Sequence, residues 1–436
     1  MAKRHKALLI TGLLFLIALI IELLYIKSYN VSYVISQDGL IYSNIAENFL
    51  HGKGLVNTAN FAQGADGVAR VIGQTREYVV GPVYPLLLAL VYGIFGLKSY
   101  SMVILILHVI LRTGSAVFAY KTGEILFGKR YAWIPYGLTL GYPFFAYWSI
   151  WVLTETTYVF TITLLLYLMA RYAQEVEQPK LKTVVMLGTV IGISNLVRPL
   201  LLFYVPVLGL WILWIHRLSL SKAVRDFVII ALMIVVVMSP WWIRNEIKYH
   251  QSIAVSNYGS YEFYVGNNPL TVTDKYFYFD EQHGFDIKEK ARIEKLPVLE
   301  QEKEYRQLAV SYIVQHPLKF VQRTFAKEIN LFWKPVPPDS GDILKMQGVS
   351  LDKWYLLLGL LGGFLSLLSI KKYSFLLLFT GYYGFIVSMI TVIPGARYRL
   401  PVMPALILLG SLVLVIPLKG IVRLLTVNER TGRGYK

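Results

Sequence analysis

Apolar residues run through this chain in blocks too long for an ordinary soluble fold, and short clusters of Lys and Arg separate them. A helix needs about 20 apolar residues to cross a bilayer. The first run, Ala7–Ile26, follows "MAKRHK" and ends near Lys27; it has no small-residue cleavage site and is expected to remain as a span. Pro82–Leu97 is short and rich in Pro and Gly, and is expected to lie on or dip into the outer face. Ser101–Lys121 is the second expected span. Tyr131–Leu168 is too long for one crossing and basic at both ends, so two crossings with a turn around Tyr147–Glu155 are expected. Thr183–Ile215 repeats that logic, broken at Arg198–Pro199. Asp226–Trp242, Lys353–Ile370, Tyr373–Ile393 and Val402–Leu418 bring the expected total to about ten spans.

Lys and Arg collect on the cytoplasmic side of short loops. That rule puts both termini inside and both sizeable loops, Lys27–Tyr100 and Arg244–Asp352, outside. The expected fold class is therefore an all-α polytopic membrane protein. Its expected parts are an N-terminal bundle over residues 1–243 with a first outer loop (27–100), a second outer loop region (244–352), C-terminal helices (353–418) and a cytoplasmic tail (419–436). Interfacial helices and a small mixed α/β region are expected in the outer loops. Large outer loops over a helical bundle are expected to place the chemistry at the outer membrane surface.

Composition agrees with this picture and narrows it. The 436 residues are 56% hydrophobic, with mean hydropathy +0.52, beyond the usual soluble range. The net charge of +17 reads as orientation signals and contacts with lipid phosphates. No compact basic domain or nucleic-acid motif accompanies it, so no nucleic-acid partner is expected. The chain has no cysteine, which excludes disulfides, thiolate nucleophiles and cysteine metal sites. No Asp-x-Asp occurs, and no His/Asp/Glu group has metal-ligand spacing; "FDEQHGFD" (Phe279–Asp286) is the nearest candidate and reads as an acidic loop. No metal or cofactor is expected.

The outer loops hold the candidate chemistry. In "SQDGLIYSNIAENFLHGKG" (Ser36–Gly54), Leu40, Ile41, Ile45, Phe49 and Leu50 recur at helical spacing. They predict an amphipathic helix lying on the membrane and closed by Gly52 or Gly54, with Glu47 on its solvated face. Asp38 stands before its first turn. It reads as an N-cap, as a fixed catalytic base, or as both. In the second loop, "SIAVSNYGSYEFYVGNNP" (Ser252–Pro269) predicts a β-hairpin or irregular segment turning at Gly266-Asn267-Asn268. Leu299–Gln315 and Leu318–Trp333 predict helices parted at His316–Pro317. In "GARYRLPVMP" (Gly395–Pro404), Arg397 and Arg399 flank Tyr398; they either snorkel to headgroups or form a fork for a lipid phosphate. His108 and Arg112 within the second span are unusual, because ionisable groups inside a membrane are functional candidates by default.

The blocks "DGLIYSNIAENFLHGKG", "GPVYPLLLALVYGIFG", "YPFFAYWSIWVLTETTYVF", "SNLVRPLLL", "SPWWIRN", "YVGNNP", "YIVQHPLKF" and "RYRLP" follow one another along the chain. In this order it resembles the bacterial GT-C fold membrane glycosyltransferases, relatives of the protein O-mannosyltransferases and of the lipid A aminoarabinose transferase. The resemblance implies a GT-C-like bundle in the inner membrane of a prokaryote, a polyprenyl-phosphate sugar donor, an outward-facing site and Asp38 as the catalytic carboxylate. Tyr42, Glu155, Arg198, Arg244, Asn267, Arg397, Tyr398 and Arg399 become the expected substrate-binding residues. Gly39 stands where many relatives carry Glu, which puts a second carboxylate there in doubt.

The residues suit that chemistry on their own terms. A phosphate leaving group needs charge neutralisation rather than a proton, which arginines supply. The acceptor hydroxyl needs one base. One base without an acid suits a single displacement with inversion, by analogy with inverting glycosidases. The acceptor stays open among lipid, polysaccharide and protein. A carrier or flippase of lipid-linked sugars and a non-catalytic relative are the competing readings. A carrier would favour charges lining a path through the bundle over charges gathered at one face.

Overall fold

The computed structural model describes residues 2–28, 35–63, 69–73, 79–217, 219–250, 252–257, 259–271, 287–333, 343–391 and 396–431. "FDEQHGFD" lies outside the described residues. Helix dominates what is described. The first part holds α1 (Ala2–Ser28), α2 (Gln37–Leu50), strands β1 (Asn60–Gln63) and β2 (Ala69–Gly73), and α3 (Val83–Phe95). Then α4 (Tyr100–Met102), a π-helical stretch (Val103–His108) and α5 (Val109–Phe127) run on as one rod. The bundle continues with α6 (Trp133–Gly141), α7 (Pro143–Ser149), α8 (Glu155–Gln174), α9 (Leu181–Val197), α10 (Tyr204–Ile215) and α11 (Leu220–Tyr249). The second loop contributes α12 (Gly259–Gly266), α13 (Ile287–Ile293), α14 (Val298–Gln315) and α15 (Pro317–Trp333). The last elements are α16 (Ile343–Ser366), α17 (Ile370–Ile390), α18 (Ala396–Arg399) and α19 (Met403–Thr431).

A helix or helix pair stands at each expected span. Among the described residues, four stretches are long and apolar enough to cross a membrane: Tyr100–Phe127, Leu220–Tyr249, Leu351–Ile390 and Arg397–Lys419. Large apolar side chains on these helices face outward, Val228, Leu232, Trp354, Phe364 and Phe385 among them. Water would not tolerate so continuous a surface, and lipid does. The chain is an integral membrane protein.

The core gathers around α8. Its Tyr158, Ile162, Leu165, Leu166, Met169 and Tyr172 are all buried, so apolar contact surrounds the helix. Its polar threonines do not break that core: Thr161 and Thr163 donate back to the carbonyls of Tyr158 and Val159. Glu155, the first residue of α8, therefore sits at the end of a helix enclosed by the bundle.

Two local expectations change. The inner face of α2 is not its apolar stripe: Gly39, Ser43, Ile45, Ala46 and Asn48 are buried, while Phe49 and Leu50 are exposed. Polar bonds clamp this face. Ser43 meets Tyr92 and Tyr100 through hydroxyls and donates to Glu47, and Asn48 donates to Asn44, Thr58 and the Val56 carbonyl. Pro82–Leu97 forms α3, which buries Tyr84, Leu88 and Tyr92 against α2. In the second loop the stretch expected as a hairpin or irregular segment holds a helix, α12, whose end is held by Asn267 and Asn268 bonding back to carbonyls of its own last turn. The hairpin of the described loops lies in the first one, where β1 and β2 pair antiparallel with Phe61 opposite Val71 and Gln63 opposite Ala69. The break at His316 between α14 and α15 falls where expected.

Candidate active site where α2, α8 and α18 meet

The turn into α2 is capped by Ser36, whose side chain accepts from the Gly39 amide at 3.2 Å. Asp38 sits in the first turn but is relieved of capping, which corrects the expected N-cap. Its side chain is 49% exposed, and Oδ2 accepts from Arg397 Nη2 at 3.0 Å. The first turn also favours an acid through the helix dipole. Gly39 next to it has a physical reason. A Cβ there would lie 2.7 Å from the Val152 carbonyl oxygen and 3.1 Å from the Ile35 side chain. The start of α2 presses against the turn before α8, which leaves no room for the Glu that many relatives carry.

Glu155 lies across from Asp38, with its side chain 1% exposed. Its Oε1 accepts from Arg198 Nη2 at 2.6 Å and also from Arg397 Nε. Arg198 is fixed a second time, donating from Nε to Thr154 Oγ1 at 2.6 Å. Pro199 forces extended backbone at Arg198, with φ −147° and ψ 127°, which ends α9 and turns this side chain toward α8. Arg397 thus stands between two carboxylates contributed by residues 359 and 242 positions away, and its guanidinium packs 5.8 Å from the Trp148 ring centroid. Two carboxylates and two guanidiniums balance in charge. The buried Oε2 of Glu155 and the indole nitrogens of Trp148 and Trp151 have no hydrogen-bond partner among the described residues.

Three further groups border this cluster. The Tyr42 ring packs edge-on against Tyr84 at 5.4 Å. Burial and the Asp38 charge push its hydroxyl up to about 12, so it stays neutral. Tyr398, next to Arg397 in the chain, is half-buried. Glu262, on α12, is raised to about 7 by burial and by Asp38, an effect that Arg397 partly offsets.

Several expected ligands go elsewhere. Arg399 is fully buried; it pairs with Asp352 and donates to the Leu331 carbonyl, while Tyr142 also donates to Asp352. It ties α15 and α16 to the bundle, so Arg397 and Arg399 do not form one fork. Arg244 donates to the Leu55 carbonyl and stacks on Trp241 and Tyr249, bridging the two loops. Asn267 donates to the carbonyls of Phe263 and Met389, which anchors α12 to α17. Arg112 is buried against Glu22, and His108 is held between the Ser149 carbonyl and the Tyr84 hydroxyl. Sequence reasoning passed over Ser36, Thr154, Trp148 and Glu262. The aromatic density of "FFAYWSIW" was the one available signal for Trp148. No group of three or more metal-ligating side chains occurs among the described residues.

Comparison with known proteins finds likenesses to part of the sequence and to the fold. The family model for dolichyl-phosphate-mannose-protein mannosyltransferases matches residues 79–243, which hold Glu155 and Arg198 but neither Asp38 nor Arg397. No curated protein matches the sequence. The fold resembles the archaeal oligosaccharyltransferase AglB of Archaeoglobus fulgidus, solved with an inhibitory peptide and a dolichol-phosphate. Identity is 13% and the TM-score 0.56, over 96% of this chain and 52% of that one. A second structure of the oligosaccharyltransferase of that organism, tethered to an acceptor peptide, matches at 12% identity and TM-score 0.53, over 93% of this chain and 49% of the other. The chain thus spans about half the length of these two proteins. ArnT of Cupriavidus metallidurans, bound to undecaprenyl phosphate, aligns at 13% identity and TM-score 0.46, over 94% and 78% of the two chains. The likeness to GT-C membrane glycosyltransferases stands on the family model and the fold.

Proposed function

We propose that this protein is a membrane glycosyltransferase that moves a sugar from a polyprenyl-phosphate donor to an acceptor hydroxyl. The reaction takes place at the outer face of the prokaryotic inner membrane, with about ten crossings and both termini cytoplasmic. The observation that carries this reading is the convergence of Asp38, Glu155, Arg198 and Arg397 from four separate stretches of chain. Glu155 is enclosed and doubly held, so it fixes the two guanidiniums; Asp38 is the acid free to move.

Arg397 engages both acids. A phosphate arriving on Arg397 and Arg198 competes for the guanidiniums, and half-exposed Asp38 is the partner that can yield. Released, it accepts the proton of the acceptor hydroxyl as that oxygen attacks the anomeric carbon. The bond from sugar to phosphate breaks, and the polyprenyl phosphate leaves with its charge on the arginines. The Trp148–Trp151 pair, with ring centroids 5.5 Å apart, offers an apolar face for the sugar ring.

A groove supports a lipid-linked donor. Val207, Leu210 and Trp214 of α10 and Leu377, Leu378 and Phe385 of α17 line an apolar groove of about 680 Å³. Tyr382 in the same groove donates to the Leu200 carbonyl, two residues from Arg198. A lipid tail there would bring its phosphate toward Arg198. The test is transfer of labelled sugar from synthetic polyprenyl-phosphate donors by the purified protein in nanodiscs, with glycan, lipid and peptide acceptors. Appearance of glycosylated acceptor together with free polyprenyl phosphate is the expected result. Transport of lipid-linked sugar across proteoliposomes without any bond cleavage would favour a carrier instead.

A further inference from the structure

The α15 helix divides sharply into two faces. Leu318, Val321, Phe325, Ile329 and Trp333 are all exposed, at 77, 48, 63, 63 and 67%. At about 100° per residue they fall within an arc of about 120° on one side of the helix. The opposite side is buried and polar. Lys327 donates to the Gly266 carbonyl at 2.7 Å, and Arg323 donates to the Asn268 carbonyl at 2.8 Å. So α15 clamps the end of α12 with one face and leaves Leu318, Val321, Phe325, Ile329 and Trp333 exposed on the other. Two valines near the end of α14, Val310 and Val314, are also exposed.

The depth of α15 decides what covers that face. A Cβ on Gly384 of α17 would lie 2.8 Å from the Phe332 ring and 3.0 Å from a Glu328 oxygen, so α15 lies directly on α17 at that residue. Gly384 is six residues short of the end of α17 at Ile390, about 9 Å along the helix axis. That segment belongs to a stretch apolar enough to cross the membrane, and Phe385 beside it is exposed. A helix seated about 9 Å below the end of a crossing helix is at the level of the headgroup and acyl boundary. Its apolar face continues the surface that the lipid already covers.

We infer that α15 is an interfacial helix whose Leu318–Trp333 stripe lies in the outer leaflet, and that the lipid surface is its partner. The consequence for the site is mechanical. Through Lys327 and Arg323 the membrane surface sets the height of α12, and with it the position of Glu262 beside Asp38. This inference is independent of the proposed chemistry.

The chain has no cysteine, so single cysteines can carry nitroxide labels without background. Phe325→Cys and Ile329→Cys are compared with Lys303→Cys on α14 and Phe364→Cys on α16, in full-length protein reconstituted in phosphatidylethanolamine and phosphatidylglycerol vesicles. Labels at 325 and 329 are expected to follow 364, relaxed by oxygen more than by a water-soluble nickel chelate, with 303 showing the reverse. Chelate access at 325 and 329 equal to that at 303 would overturn the inference. So would protection from both relaxants, which would mean that protein, a second copy or another chain, covers the stripe.

Discussion

Asp38→Asn separates chemistry from folding, because the structure gives Asp38 little structural work. The helix cap belongs to Ser36, so no cap is lost. The Asp38–Arg397 pair is 49% exposed on the acid side, and such a pair contributes at most about 1 kcal/mol. Asn keeps an oxygen that Arg397 can still bond. The loss of a first-turn charge adds about 0.3–1 kcal/mol. Unfolding is therefore expected to shift by a few degrees at most. A general base, by contrast, contributes about 10²–10⁴ in rate, or about 2.7–5.5 kcal/mol. The assay is single-turnover transfer from a labelled polyprenyl-phosphate sugar in nanodiscs, with binding of polyprenyl phosphate measured on the same samples. The expected outcome is a fall of at least 100-fold in the transfer step with donor binding kept within about threefold. Transfer within threefold of the parent, in folded protein, would refute the base. Loss of transfer only in proportion to lost donor binding would recast Asp38 as a binding residue.

Other substitutions should behave differently. Glu155→Gln leaves Arg198 and Arg397 facing a neutral amide; breaking a buried pair costs about 3–5 kcal/mol, so thermal unfolding and transfer should both fall, unlike Asp38→Asn. Gly39→Ala puts a methyl group 2.7 Å from the Val152 carbonyl; overpacking costs about 1–3 kcal/mol, and displacement of neighbouring Asp38 should lower kcat/KM even where the protein remains folded. Glu262 is held up to about 7, so its neutral form favours the fold, and its contribution is lost as pH rises from the usual carboxylate range through about 7. Glu262→Gln should flatten that slope, so that parent and variant differ more in unfolding temperature at pH 8 than at pH 5.

Membrane character, the helix positions and four members of the charged cluster were legible in the sequence because the bilayer makes such residues stand out. Apolar runs are required by length, and an Asp, Glu or Arg at the end of such a run is rare enough to notice. The resemblance to relatives singled out Asp38 and Glu155, and basic residues beside apolar runs pointed to Arg198 and Arg397. What composition and spacing left undivided was which charged residues serve the site and which hold the fold. Arg397 and Arg399 are equivalent in sequence, but in a helical turn two residues are about 200° apart. One reaches Asp38 and Glu155; the other is buried on Asp352. Ser36 and Asp38 are both good cap residues, and only the backbone path shows that Ser36 takes the amide. Gly39 looked like a lost carboxylate until the Val152 carbonyl occupied the space. Glu262 had no signal at all, since its proximity to Asp38 depends on how α12 is anchored to α15 and α17. The sequence by itself determined that this chain enters the membrane as helices with charge at their ends. Only the tertiary structure decided which of those charges meet, because contacts between residues hundreds of positions apart depend on helix packing that no local pattern encodes.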